Sequence, residues 1–228
     1  MNLIIEYDGT DFAGYELQPG KRTVRGEIEK ALHKIYKKKI SIRAVSRTDS
    51  GVHALCNNIF FTPPFKIPEL GLVKGLNALL PEDIRVCGVG DKVRGVKSKT
   101  YEYLIYNGEV MPVHLRRIAW QVIPKLNLPA MRRAAKQLVG KHDFSSFCAA
   151  GGDDKDFVCT INRITIRKRD IGHWTLDNNE VINIVVNGNR FLYKMVRNLV
   201  GYLVEIGLGR KRKKLTAPAK GLCLILQK

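Results

Sequence analysis

The chain has 228 residues, 45% hydrophobic and 8% aromatic, which is enough apolar material for one large core or two smaller ones and excludes a disordered tail. Lys and Arg total 39 against 21 for Asp and Glu, a formal net charge of +18. The expected partner is therefore a polyanion, and nucleic acid fits best, because a fixed cationic surface gains affinity by releasing counterions from phosphate. The 5 cysteines and 5 histidines are scattered, with no C-x-x-C pair and no H-E-x-x-H pattern, which argues against a disulfide framework and against a metal site.

Met1 to Tyr7 reads as a strand and lacks the basic segment, apolar stretch and cleavage site of a signal peptide. No apolar run approaches the roughly 18–20 residues that span a bilayer, so the expectation is a soluble, cytoplasmic protein. Asp8-Gly9-Thr10-Asp11 is a turn signal. Thr23 is the expected N-cap of a helix with apolar residues at Val24, Ile28, Ala31, Leu32 and Ile35, running into Lys37-Lys38-Lys39. A strand is expected from Ile40 to Val45, then a loop from Ser46 to His53 and a strand from Asn58 to Phe61. Pro63-Pro64 breaks the pattern before a helix over Leu70 to Leu80 and strands over Ile84 to Val89 and Thr100 to Tyr106.

The second half repeats this logic. Pro129 opens a helix with apolar residues at Met131, Ala134, Ala135, Leu138 and Val139, closed by Gly140. Strands are expected over Ile161 to Ile166, His173 to Leu176 and Val181 to Val186, the last two joined in a hairpin at Asp177-Asn178-Asn179. A long helix over Phe191 to Ile206 would bury Leu192, Met195, Val196, Leu199, Leu203 and Ile206 and group Arg190, Lys194 and Arg197 on its other face. The expected fold is α+β: two similar halves, residues 1–106 and 107–228, with mixed or antiparallel sheets flanked by helices and a basic cleft between them. The first half would carry the Asp49 loop, and the second a basic helix that completes the cleft.

The loop Arg47-Thr48-Asp49-Ser50-Gly51-Val52-His53-Ala54 places a cation two residues before a carboxylate, followed by a glycine that permits an unusual backbone turn. By itself an Asp-x-Gly loop is usually a turn whose Asp bonds its own backbone. In this sequence, however, the whole segment resembles the active-site signature of TruA-type tRNA pseudouridine synthases. The resemblance continues through Tyr7-Asp8-Gly9-Thr10-Asp11-Phe12 with Gln18, Arg22-Thr23-Val24-Arg25-Gly26, and Lys97-Ser98-Lys99-Thr100-Tyr101-Glu102-Tyr103. It extends to Gly140-Lys141-His142-Asp143-Phe144-Ser145-Ser146-Phe147, Phe191-Leu192-Tyr193-Lys194-Met195-Val196-Arg197-Asn198 and Thr216-Ala217-Pro218-Ala219-Lys220-Gly221-Leu222. These blocks lie in the family's order and cover nearly the whole chain.

The resemblance implies the pseudouridine synthase fold and isomerisation of uridine to pseudouridine at positions 38, 39 and 40 in the anticodon stem-loop of tRNA, by a cytoplasmic homodimer. It makes Asp49 the catalytic residue, Arg47 a partner in opening the RNA and placing the base, Tyr101 a ring stacked on the uracil, Arg197 a cation beside Asp49, and Leu222 a packing contact for the base. The reaction moves the bond from uracil N1 to uracil C5 and imports neither atoms nor electrons, so no cofactor is expected. Asp49 can serve as nucleophile or take a proton from the sugar, and the residues do not choose between these. The chain differs from the family pattern at Gly14-Tyr15, where a Trp usually follows the glycine, at Lys92-Val93-Arg94-Gly95-Val96, and in a short connection from Gly207 to Thr216. A non-catalytic RNA-binding protein on the same scaffold, or a synthase with a different RNA target, fits the same residues.

Overall fold

A computed structural model describes residues 1–90, 96–152, 155–169, 180–210 and 215–227. The chain divides into two units, residues 1–97 with 224–228 and residues 98–223.

In the first unit, β1 (Asn2–Tyr7) is followed by α1 (Val24–Tyr36), β2 (Arg43–Ala44), β3 (His53–Phe60), α2 (Glu69–Leu79) and β4 (Ile84–Val89). β1 lies between β3 and β4 and is antiparallel to both, and β2 pairs antiparallel with β3 at Arg43 and Ala44. The alternation of the sequence sets which side chains face inward: Leu3, Ile5 and Tyr7 of β1 are buried, as are Ile28 and Leu32 of α1 and Leu72 and Leu76 of α2. Thr23 caps α1 by accepting the Gly26 N–H at 3.2 Å, and Lys37 ends it in the left-handed region at φ 54°.

The strand expected from Ile40 to Val45 is shorter than its apolar content suggests. Ile40 and Ile42 are buried, but the Ile42 N–H goes to the Glu29 carboxylate at 3.0 Å, which removes it from strand pairing and leaves only Arg43–Ala44. β3 in turn begins five residues earlier than Asn58, because His53 and Ala54 already turn into the core.

The second unit contains β5 (Lys99–Asn107), β6 (Trp120–Gln121), α3 (Leu128–Gln137), β7 (Gly140–Asp143), β8 (Val158–Arg169), β9 (Glu180–Gly188) and α4 (Met195–Gly207). β5, β9, β8 and β7 are antiparallel neighbours in that order, and β6 runs parallel to β5, so the sheet is mixed. The last strand, β10 (Leu222–Gln227), gives its first two residues to this unit and the rest to the first, where it neighbours β3. These elements are those of an α+β fold.

Three expectations need correction. α3 stops at Gln137, and Gly140, at φ 119°, opens β7 instead of closing the helix; Val139 is exposed. α4 begins at Met195 and not at Phe191, because Lys194 sits in the left-handed region at φ 56° and interrupts helical geometry. Arg190 and Lys194 therefore share no helix face with Arg197. Arg190 reaches Asp156 at 3.4 Å, and Lys194 lies over the Tyr193 ring at 4.8 Å. The strand at His173 to Leu176 and the turn at Asp177-Asn178-Asn179 lie outside the described residues, as do Lys92 to Gly95 of the altered stretch and residues 211–214 of the short connection.

α4 approaches the 215–217 segment very closely at Gly201, where an added Cβ would lie 1.9 Å from the Leu215 carbonyl oxygen. Alanine usually favours a helix interior over glycine by about 1 kcal/mol. Here Gly201→Ala is expected to destabilise the protein by about 1–3 kcal/mol through the forced backbone shift, measured by denaturant unfolding. A gain in stability would contradict the close approach.

Candidate active site

Asp49 sits on the connection entering β3, held by the segment that follows β1. The Tyr15 N–H donates to the Thr48 carbonyl at 3.0 Å, Ser50 Oγ donates to the Phe12 carbonyl at 3.1 Å, and the Val52 N–H closes a turn onto the Asp49 carbonyl at 3.2 Å. Gly51 has φ 77°, the left-handed conformation that this turn requires. Two other glycines permit the approach from the opposing segment. A Cβ on Gly9 would lie 2.0 Å from the Val52 carbonyl oxygen, and Gly14, at φ 110°, would bring one to 3.1 Å from the Thr48 carbonyl oxygen. Below the loop, the Gly9 N–H donates to Nδ1 of the buried His53 at 3.1 Å.

Asp49 is half-buried, while the Arg47 side chain is 74% exposed. Arg47 Nε lies 3.5 Å from Glu16, and Glu16 also binds Arg25. Arg25 is anchored by Glu29 at 2.8 Å and donates to Ser41 Oγ at 2.9 Å. The guanidinium nearest in sequence to Asp49 thus rests on a carboxylate that is itself tied to α1. An exposed pair of this length contributes little to stability, about 0–1 kcal/mol, so it orients Arg47 without trapping it. Beside it, Tyr15 is buried, and burial first, then the nearby Tyr7, pushes its phenol well above the usual range; it stays neutral.

The second unit carries the other candidate residues. Tyr101 on β5 is buried opposite Val186 of β9, and its ring meets Phe191 edge to face at 5.2 Å and 88°. Such an edge contact fixes the plane of the ring. Arg197, in the first turn of α4, is half-buried; its Nε donates to the Ala217 carbonyl at 2.8 Å, and the Ala217 N–H returns to the Arg197 carbonyl at 3.2 Å. Asn198 completes this clasp by accepting from Thr216 Oγ1 at 2.6 Å and donating to the Phe147 carbonyl at 2.7 Å. Leu222 is buried at the start of β10, directly after the turn Ala219–Gly221. That turn is gripped by Tyr103, whose Oη donates to the Pro218 carbonyl at 2.7 Å and whose ring leaves no room for a Cβ at Gly221. Burial raises the Tyr103 phenol strongly against the lowering influence of Arg197, so it remains a neutral donor. Tyr103 and Glu16 were not singled out by the sequence; a second tyrosine two positions after Tyr101 on an alternating strand faces the same side and was the available signal for one of them.

The model of the tRNA pseudouridine synthase family matches residues 3–92 and 134–224, which take in the Asp49 loop and the α4 clasp; Tyr101 on β5 lies in the stretch between the two matched segments. This chain belongs to the tRNA pseudouridine synthase family. It is 42% identical over 219 residues to tRNA pseudouridine synthase A of Bacillus subtilis, covering 92% of this chain and 85% of the relative. It is 39% identical over 242 residues to the protein of that name from Shouchella clausii, covering 96% of this chain and 89% of the relative. With that of Geobacter sulfurreducens it shares 38% identity over 245 residues, 98% and 97% of the two chains. Like other members of its family it is thus an isomerase by descent. Among the described residues no helix is long and apolar enough to cross a membrane, and no group of three or more His, Cys, Asp or Glu is placed to hold a metal ion.

The close approach of Gly9 to Val52 makes a direct test of how the synthase loop is held. Gly9→Ala is expected to displace the loop and lower turnover by about 10²-fold, the loss typical of a displacement of about 1 Å at a reacting group. Gly88→Ala on β4, where a Cβ meets nothing within 4 Å, is the control and should retain full activity. Equal activity of the two variants would contradict the role assigned to the contact.

Proposed function

We propose that this protein converts uridine to pseudouridine at positions 38, 39 and 40 of the tRNA anticodon stem-loop, with Asp49 as the catalytic carboxylate. The observation that carries this reading is the Asp49 loop itself: a half-buried aspartate on a clamped turn, in a chain belonging to the tRNA pseudouridine synthase family. The reaction breaks the bond between ribose C1′ and uracil N1, turns the base and rejoins it through C5. C5 gives up a proton and N1 ends protonated, so atoms and electrons balance within substrate and solvent. Asp49 assists as an ionised group, either by attacking the substrate or by taking a proton from the sugar.

A stacked or paired uridine must first be extruded, which costs a few kcal/mol. Arg47 is the residue assigned to opening the RNA and placing the base. Its exposure and loose pairing to Glu16 leave it able to exchange that carboxylate for phosphate. Tyr101 is assigned to stacking on the extruded uracil, in keeping with a ring whose plane Phe191 fixes. Leu222 is assigned to packing against the same base, and Arg197 to balancing the charge of Asp49, supported by the clasp that holds its Nε on the Ala217 carbonyl. The division of labour follows the two units: the first supplies the Asp49 loop, and the second supplies Tyr101, Arg197 and Leu222. The surplus of cations, +18 in all, supplies sequence-independent affinity for the RNA backbone. We place the protein in the cytoplasm as a homodimer, with tRNA as its partner and no cofactor.

The experiment is to map pseudouridine in an unmodified tRNA transcript carrying uridines at positions 38, 39 and 40, incubated with the purified protein and a chelator. Conversion confined to those positions is expected. Conversion elsewhere would redirect the enzyme to another target, and binding without any conversion would favour a non-catalytic RNA-binding role.

A further inference from the structure

Gln227 on β10 is far from Asp49 in sequence, yet within the first unit a buried polar relay joins it to Thr48, the residue before Asp49. The Gln227 side-chain amide is saturated. Its Oε1 accepts the Asn58 backbone N–H and Nδ2, each at 2.9 Å, while Nε2 donates to Ser46 Oγ at 2.8 Å and to Asn57 Oδ1 at 3.1 Å. Asn57 is fully buried and equally saturated: Oδ1 also accepts the Ser46 N–H at 3.3 Å, and Nδ2 donates to the Ser46 carbonyl at 2.9 Å and to Tyr7 Oη at 3.3 Å. Tyr7 Oη is in turn hydrogen-bonded to Thr48 Oγ1 at 2.8 Å. An amide has two N–H donors and an oxygen with two lone pairs, so each of these side chains has one orientation that satisfies all four.

The relay grips the chain on both sides of Arg47. The Asn57 amide holds both peptide groups of Ser46, and Tyr7 holds the side chain of Thr48, the residue before Asp49. Every member from Tyr7 to Gln227 is buried, so water does not replace a lost partner, and a fully satisfied buried network selects a single geometry. We propose that Gln227, Asn57 and Tyr7 are positioning residues for Asp49, and that the last strand thereby sets the geometry of the catalytic loop. The proposal rests on the reading of Asp49 as the catalytic carboxylate.

Three variants remove polar atoms while keeping shape: Tyr7→Phe, Thr48→Val and Gln227→Met. Two measurements separate positioning from simple structural support. In hydrogen exchange, amides of residues 46–49 should exchange about tenfold faster in Tyr7→Phe and Gln227→Met than in wild type, reading the relay without reference to the reaction. In steady-state turnover of tRNA, Thr48→Val and Tyr7→Phe should lower kcat about tenfold or more with KM within about twofold of wild type, and Thr48→Ser should restore kcat. Gln227→Met combined with Tyr7→Phe should be no worse than the worse single variant, because both break one relay. Unchanged exchange, a loss confined to KM, or strictly additive effects would overturn the proposal. If Gln227→Met fails to fold, Gln227→Glu, which keeps the shape and Oε1 but loses the N–H donors to Ser46 and Asn57, takes its place in both measurements. Absence of turnover by wild type would instead overturn the assigned reaction, while the exchange measurement still judges the relay.

Discussion

The backbone of residues 46 to 52 runs closer to its neighbours than side chains allow, and the first unit is organised around that contact. Gly9 and Gly14 let the segment after β1 lie against the carbonyls of Val52 and Thr48, and Gly51 supplies the left-handed turn that returns the chain into β3. Hydrogen bonds from Tyr15 and Ser50 close the same contact from either side of Asp49. Backbone held on both flanks fixes the position of Asp49 while leaving the residue half-exposed.

The second unit applies a related device to cations and aromatic rings. Arg197 does not extend from the helix as a loose surface charge; its Nε is bound to the Ala217 carbonyl, and the 215–217 segment is bound back to it. The interruption at Lys194 puts Arg197 in the first turn of α4, where Asn198 secures the neighbouring loop. In both units a charged residue is held through main-chain contacts, Asp49 by its flanking backbone and Arg197 by the Ala217 carbonyl, whereas the exposed Arg47 rests on the Glu16 side chain.

Much of this was legible in the sequence because it is written in local pattern. Thr23 as a cap, the apolar face of α1, the strand Ile84–Val89 and the glycine-dependent turn at Gly51 follow from spacing and residue chemistry alone. Illegible were the features decided by distant partners. Nothing near Ile42 announces that Glu29 will take its N–H and cut the strand short. Nothing local forbids a helix from Phe191, because a lysine in the left-handed region is an unfavourable choice that only tertiary packing sustains. The relay was signalled faintly by Asn57-Asn58, two residues poorly suited to the middle of a strand, whose presence between apolar neighbours implies polar partners across the core. Their partner, Gln227, lies 169 residues beyond Asn58. Of the candidate site, the choice of Asp49 came from resemblance and its geometry from the fold; spacing alone reads as an ordinary Asp turn.

The measurement that bears most directly on this account is release of tritium from tRNA labelled at uracil C5, comparing wild type with Asp49→Asn. Forming the new carbon–carbon bond expels that hydrogen, and the substitution keeps the size of the side chain while removing its charge. Release by wild type and a loss of at least about 10³-fold in the variant, with tRNA affinity preserved, is the expected result for a residue acting directly in the reaction. Comparable release by both proteins would show that Asp49 is not the catalytic carboxylate.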